Sequence, residues 1–380
     1  MLHYDYIFAG AGAAGLSLLT RMITSGKFSD KKILLIDKAP KTANDRTWCF
    51  WEKEASFFEK IVYRKWDRLL FESNSFSAAL NIAPYQYKMI RGIDFYNYCF
   101  HLISKEANID VRYGMIRFEQ LTENNTTIYL DDKELSTEKS IIFNSIPFTS
   151  PSHKKKLHLL QHFKGWIIET NEKKFDPGVG TLMDFRVHQD QGATFVYVLP
   201  LDANRALVEY TLFTEKLLST DTYDKELRNY ISRFMQLQQY TVAEEEFGVI
   251  PMTNARFPFY QNGIYHIGTA GGQTKASTGY TFQFIQKQSK QIVERLERNQ
   301  SLQDITNPPA RFHFYDSVLL QLLFDKIPEG HEIFTRLFQR NKASAIFKFL
   351  DNESSLLEEL RIISSLQIAP FFKAAIKQLI

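Results

Sequence analysis

Residues 4–37 read YDYIFAGAGAAGLSLLTRMITSGKFSDKKILLID. Tyr4 to Ala9 is a short apolar run that ends at a glycine, the pattern of a strand buried in a parallel sheet. Gly10, Gly12 and Gly15 form a G-x-G-x-x-G run. In such a run the first glycine permits the tight turn, the second lets the backbone approach a pyrophosphate, and the third lets helix and strand pack closely. Leu16 to Ser25 is expected to be helical, with Leu16, Leu19 and Ile23 on one stripe. Its free N–H groups and positive dipole end would face the phosphates. Lys32 to Ile36 reads as a second strand ending at Asp37, which lies 22 residues beyond Gly15. That is near the spacing of a carboxylate that holds ribose hydroxyls. The unit is a βαβ opening that serves FAD and NAD alike.

The rest of the chain sets the class. Its 380 residues, 44% hydrophobic and 23% charged, suit a globular protein with one large two-part domain or two interleaved ones. A net charge of +3 gives no reason to expect nucleic acid. Aromatic residues make up 14%, with 32 Phe and 18 Tyr. They suit an aromatic core, and equally a long apolar cavity whose ring faces favour a cation. The two cysteines, Cys49 and Cys99, show no metal or redox spacing, so no metal is expected. No apolar run reaches the length of a membrane span, and no signal peptide pattern opens the sequence. A cytoplasmic protein in peripheral contact with a membrane fits these features.

Beyond the opening, the spacing predicts a helix over Asp94–Glu106 capped by Asp94. Strands are predicted over Val111–Phe118, Thr126–Leu130 and Ser140–Asn144. Thr194–Pro200 and Ala206–Phe213 read as two strands joined by the turn Asp202-Ala203-Asn204. Tyr223–Leu237 reads as a helix. Phe257–Gly268 returns to strand-like sequence, and a helix is expected from Thr278 to Asn299. Phe312–Ile380 is helical in texture, broken at Pro328, around Asp351 and at Pro370. The strands between 60 and 215 interrupt the nucleotide-binding part. The expected division is therefore a discontinuous dinucleotide-binding domain (1–60, 88–145 and 257–300), an inserted β-rich substrate part (61–87 and 146–256) and a helical C-terminal region (301–380).

Three features favour FAD. The glycine run stands at the N-terminus, as in two-dinucleotide-fold flavoproteins, which the chain resembles. Arg91 precedes the helix expected near Asp94, where hydroxylase-type flavoproteins place an arginine on the pyrophosphate. Ile264–Gly272 (IYHIGTAGG) resembles their second FAD motif, which brings Gly268 to the ribityl chain; Thr269 stands where that motif has aspartate.

Asn44–Trp51 (NDRTWCFW), Gly180–Phe185 (GTLMDF) with Phe195–Leu201 (FVYVLPL), Ala206–Phe213 (ALVEYTLF), Glu246–Met252 (EFGVIPM) and Ala276–Tyr280 (ASTGY) together are similar to segments of the lycopene cyclase family, in the family's order. The resemblance, of the bacterial β-cyclase type, spans residues 5–282. Where the family often has His-Pro before its Thr-Gly-Tyr segment, this chain has Lys275-Ala276.

The resemblance implies an α/β fold of the FAD-binding, Rossmann-like, hydroxylase-like kind, and an activity that closes the ends of lycopene or a related linear carotenoid. A proton on the terminal double bond makes a tertiary cation, an internal double bond attacks it, and loss of a ring proton gives a β end group without net oxidation. It maps the family's acid onto Glu209, which on a strand shares a face with Leu207 and Thr211. Asp184 and Asp45 are supporting candidates. The working cofactor would be reduced FAD, with NAD(P)H as its source of electrons, and either the flavin or Glu209 would deliver the proton. Ser277, Thr278 and Gly279, at the expected helix start, would hold the flavin's negative edge. Closure to β or ε rings, at one end or both, suits these residues alike. The alternatives are another flavoenzyme of this fold, such as an aromatic hydroxylase or prenyl reductase, and a non-catalytic isoprenoid-binding module. Because lycopene is apolar, the C-terminal third is the expected membrane face. There Phe334, Leu337, Phe338, Phe347 and Phe349 stand among Arg336, Arg340, Lys342 and Lys348, and Ile368–Ile380 carries no acid.

Overall fold

The computed structural model describes residues 3–122, 125–135, 137, 139–147, 156–305, 309–327 and 329–379. The chain opens with β1 (Tyr6–Ala9), α1 (Ala13–Ser25) and β2 (Ile33–Asp37). There follow β3 (Thr47–Glu52), β4 (Arg64–Trp66), β5 (Arg68–Glu72), β6 (Ser77–Asn81), β7 (Gln86–Arg91), α2 (Gly92–Ile103) and β8 (Ile109–Tyr113). Next come β9 (Ile116–Thr122), β10 (Asn125–Leu130), β11 (Lys133–Leu135) and β12 (Ile141–Asn144). Longer strands succeed them: β13 (His158–Glu169), β14 (Val179–Asp184), β15 (Ala193–Pro200) and β16 (Arg205–Thr214), then α3 (Thr220–Arg233) and β17 (Thr241–Thr253). The short β18 (Tyr260–Gln261) and β19 (Ile264–His266) lead to α4 (Phe282–Glu297). Among the described residues, five helices follow: α5 (Ala310–Asp325), α6 (Gly330–Arg340), α7 (Ala343–Leu350), α8 (Leu356–Ser364) and α9 (Ile368–Leu379).

The glycine-rich opening sits in a six-stranded sheet of order β18-β19-β12-β1-β2-β8, parallel except for β18. Every residue of β1 and β2 is buried, because both faces of the sheet are covered, the usual condition of parallel strands. Phe8 and Leu35 pack with α1, α2 and α4, while Ile7, Leu34 and Ile36 face the small antiparallel sheet of β9, β10 and β11. The second large sheet has seven strands in the order β17-β13-β16-β15-β14-β5-β6. Its side chains alternate: Val208, Tyr210 and Leu212 meet α3, whereas Leu207 and Phe213 join the core shared with the C-terminal helices. The antiparallel sheet β3-β7-β4 completes the set.

Several boundaries differ from the sequence expectation. The helix near Asp94 starts at Gly92 with Arg91 as its N-cap, and Asp94 stands in its first turn, where its charge suits the dipole. Val111–Phe118 is not one strand. The chain leaves the parallel sheet at Gly114, whose hydrogen faces Asp131 so closely that a Cβ there would come within 2.3 Å of its Oδ2. Phe257–Gly268 keeps only two short strands, and α3 runs from Thr220 to Arg233. The helix expected at Thr278 begins at Phe282, because Gly279 takes the left-handed conformation (φ +72°) in a turn closed onto the Lys275 carbonyl. Pro370 breaks nothing: it lies in the first turn of α9, where its missing N–H is no loss. The break around Asp351 separates α7 from α8; Pro328 and Ile380 lie outside the described residues.

The expected membrane stripe on α6 and α7 is core instead. Phe334 stacks on Phe185 at 5.6 Å, Phe338 on Phe71 at 4.8 Å and Phe347 on Trp51 at 4.4 Å. Leu337 is buried with them and Phe349 is half-buried. Arg336 donates to the Ser365 carbonyl and Lys348 pairs with Glu358. These helices therefore roof the seven-stranded sheet. Exposed apolar side chains do occur beyond them: Leu356, Leu357 and Leu360 on α8, and Ile368, Phe372, Ile376 and Leu379 on α9. No helix among the described residues is long and apolar enough to cross a membrane.

Candidate active site

A cavity of about 480 Å³ runs between the glycine turn and the seven-stranded sheet. Gly12, Asp45, Glu209, Gly268, Thr269, Thr278 and Gly279 all line it, so one space gathers most of the residues singled out in the sequence.

At one end stands the N-terminus of α1. The hydrogens of Gly10 and Gly15 serve packing: a Cβ on Gly10 would come within 2.3 Å of Ser145 Oγ, and one on Gly15 within 2.1 Å of the Gly10 carbonyl oxygen. Gly12 is different, since a Cβ there meets nothing within 4 Å, and the residue lines the cavity as the N-cap of α1. Asp37 accepts from the Ala11 amide at 2.7 Å and lies 3.3 Å from Lys41. Gly268, left-handed at φ +61°, leans on Ala14, and so brings the second glycine segment against the first. Thr269 shares a hydroxyl contact of 3.0 Å with Thr274. Ser277 donates to Asp316 at 2.7 Å, away from the cavity lining, whereas Thr278 Oγ1 and Gln161 Oε1 are buried at the lining without a protein partner. An open backbone cradle at a helix N-terminus and unpaired polar atoms beyond it fit a dinucleotide. Arg91 is committed elsewhere: it forms a two-bond pair with Asp94 at 2.7 and 2.9 Å and lies over the Tyr63 ring. Lys41 and Arg46, which the sequence did not single out, are the cations on the lining among the described residues.

At the other end the sheet supplies the acid. Alternation along the strands points Gln161 and Phe163 of β13, Leu207 and Glu209 of β16, and Tyr197 and Leu199 of β15 into the cavity. Glu209 is half-buried, and its Oε1 accepts from Thr211 Oγ1 at 2.8 Å. The register carries a second carboxyl to the same place. Gly165 of β13 lies opposite Glu209 on one side and opposite Glu246 of β17 on the other. With no side chain on Gly165, the two glutamates face each other across it, and Glu246 Oε1 would stand 3.1 Å from a Cβ placed there. Burial, and then the Glu246 carboxylate, hold the Glu209 carboxyl well above the usual carboxylate range. Burial raises Glu246 too, against the donation of Thr47 Oγ1 to its Oε2 at 2.6 Å.

Around the pair the wall is aromatic. Tyr280 lines the cavity with Tyr87 and Tyr197, and burial pushes its phenol up to about 12. Trp48, Tyr96, Phe163, Phe247 and Phe282 complete the lining. Of the two supporting acids, Asp45 accepts from Tyr96 at 2.8 Å at the exposed rim. Asp184 lies on the opposite face of the sheet, fully buried between Arg186 and the Tyr230 hydroxyl of α3, 2.7 Å away. It is fixed as structure there. Glu246 escaped the sequence reading because Glu244-Glu245-Glu246 looks like a solvated run; the alternation Glu246, Gly248, Ile250 was the available signal.

Comparison with known proteins agrees with this geometry. A flavoprotein/dehydrogenase from Cytophaga hutchinsonii shares the fold with a TM-score of 0.61 over 99% of each chain, at 11% identity. The lycopene beta-cyclase of Pantoea ananas is 25% identical over 73% of this chain and 71% of its own length. The chloroplastic neoxanthin synthase of Solanum tuberosum is likewise 25% identical, and there the match covers 57% of the relative. The family model described as lycopene cyclase protein matches residues 5–376, reaching through the C-terminal helices that the quoted segments left out. With the glycine cradle, the half-buried acid and that match along nearly its whole length, the chain belongs to the lycopene cyclase family.

Proposed function

We propose that this protein closes the ends of lycopene into β end groups by acid catalysis, with Glu209 as the proton donor. The observation that carries the proposal is the half-buried Glu209 in an aromatic-walled cavity that opens, at its far end, on the glycine cradle. A carboxyl that keeps its proton in an apolar site has the chemistry to protonate an alkene. Glu209 gives its proton to the terminal double bond of the polyene. The faces of Tyr87, Tyr197 and Tyr280 then lie beside the tertiary cation, which aromatic quadrupoles favour. An internal double bond closes the ring. The ring proton returns to the Glu209 carboxylate, so the acid is regenerated and no electrons are exchanged.

FAD is the cofactor we assign to the cradle. Gly12 and the α1 N-terminus, with Lys41 and Arg46, would take its pyrophosphate, Asp37 its ribose, and Gly268, Thr269, Thr278 and Gly279 the remainder. When bound and reduced, it supplies negative charge that stabilises a nearby cation in a water-excluded site. Incubation of flavin-loaded protein with lycopene under anaerobic conditions tests the reading. Cyclised carotenoid should accumulate over many turnovers while the reductant, including NAD(P)H if supplied, is not consumed in proportion. One reductant spent per product would instead mark a reductase.

The substrate's home in a bilayer requires a membrane contact. We assign it to the exposed apolar faces of α8 and α9, with Lys373 toward anionic headgroups. Wild type should float with anionic liposomes. Replacing Leu357, Leu360 and Phe372 by serine should release it severalfold without changing its melting temperature, because all three are already exposed. Equal flotation of both proteins would remove these helices from the contact.

A further inference from the structure

The carboxyl of Glu246 has no place in the reaction as written, yet the fold brings it to Glu209 with some care. Three strands must be in register, β17, β13 and β16, and the middle residue must lack a side chain. A Cβ on Gly165 would stand 2.9 Å from Glu246 Cγ, 3.0 Å from Leu207 Cδ1 and 3.1 Å from Glu246 Oε1, in the space that the Glu246 carboxyl uses. Each glutamate has a hydroxyl donor on its outer side, Thr211 for Glu209 and Thr47 for Glu246. Glu246 Oε1 is buried, and among the described residues no hydrogen-bond donor reaches it. Two carboxylates that face each other across one residue, away from water, resist being charged together, so a proton belongs with the pair.

Among the described residues, the surroundings supply no compensating cation within the pair. From β3 the neighbours are Thr47 and Cys49, with Arg46 at the edge; from β7, β15 and the turn before α4 they are Tyr87, Tyr197 and Tyr280. On β17 itself Glu244 adds negative charge, and Glu245 is turned away to Lys164. Behind Glu246 lies a second, smaller cleft of about 20 Å³, with Arg91 and Glu244 in its wall and Thr47, Leu207 and Glu246 shared with the large one. That is room for about one water, on the side away from the polyene.

We propose that Glu246 is the positioning partner of Glu209: the two carboxyls, meeting over Gly165, share one proton, and Glu246 keeps it on the pair while the water-sized cleft lets it exchange with solvent. The proposal rests on Glu209 being the acid of the cyclisation. The sign of its effect is fixed. Glu246→Gln removes the negative neighbour and offers an amide N–H to Glu209, and both changes favour the ionised form. Glu209 would then lose its proton at lower pH.

The test uses the flavin-loaded full chain and two readouts. In infrared pH titration, wild type should show a protonated carboxyl band above neutral pH. In Glu246→Gln, and likewise in Glu209→Gln, the band's midpoint should fall by about one pH unit or more. In the pH profile of lycopene cyclisation, the basic limb of Glu246→Gln should move to lower pH by the same amount, giving roughly tenfold lower turnover at mildly basic pH and recovery toward acid pH. A uniform loss at every pH, or an unmoved midpoint, would overturn the shared proton. If wild type does not cyclise lycopene, the proposed function falls, and the infrared arm still decides the pair.

Discussion

Glu209→Gln is expected to fold, bind flavin and lose cyclisation by about two to four powers of ten, the usual contribution of a general acid. Little structural work is lost in the exchange. The amide has nearly the same shape, its oxygen can still accept from Thr211 Oγ1, and the β16 backbone pairing with β13 and β15 is untouched. The change also removes one of two carboxyls held together in a buried place, so the variant should be at least as stable as wild type. The two acids singled out beside it in the sequence are poorly placed to substitute. Asp184 is locked by Arg186 and Tyr230 on the far face of the sheet, and Asp45 stands at the exposed rim beside Tyr96. Turnover measured with reduced flavin, alongside the flavin spectrum and the melting temperature, checks the expectation. Near-normal turnover would transfer the proton to another donor, with Glu246 first in line.

The parts legible in the sequence were those set by neighbours along the chain. Strand, glycine turn, helix and second strand follow from residues 4–37. The turn at Asp202-Ala203-Asn204 announces itself, and Asp202 Oδ1 indeed accepts from the Asn204 and Arg205 amides at 2.8 and 2.9 Å. The face of Glu209 also follows, since alternation on one strand is a local property. What escaped depends on register or on competing partners. The meeting of Glu209 with Glu246 needs Gly165, far from both in sequence, to lie between them. Arg91 looked free for a phosphate, but Asp94 three residues on is within its reach. The C-terminal phenylalanines looked amphipathic because basic residues separate them, while their real partners, Trp51 and Phe71 on distant strands and Phe185 just past the end of β14, lie far off in the sequence. Hydrophobic periodicity tells that a face is covered and not what covers it.

Gly12→Val is expected to give a folded protein that has lost its flavin, and the other two glycines of the run show why this position is the informative one. Valine at Gly15 would drive a Cβ to 2.1 Å from the Gly10 carbonyl oxygen, and valine at Gly10 would meet Ser145 Oγ in a left-handed backbone at φ +102°. Either would disturb the β1–α1 turn itself, so loss of flavin there would say nothing of the cradle. Gly12 has φ −86° and ψ −170°, an extended conformation open to any residue, and no atom within 4 Å of where its Cβ would stand. The fold therefore does not demand glycine at this point; exchanging it for valine at the N-cap should destabilise by only about 1 kcal/mol. The isopropyl group would instead project into the cavity, in front of the first N–H groups of α1, where the backbone must come close to a pyrophosphate. Flavin-to-protein absorbance after gel filtration should fall at least tenfold, while circular dichroism and melting stay close to wild type. A folded variant with its full complement of flavin would mean that the open face of Gly12 is not where the dinucleotide lies.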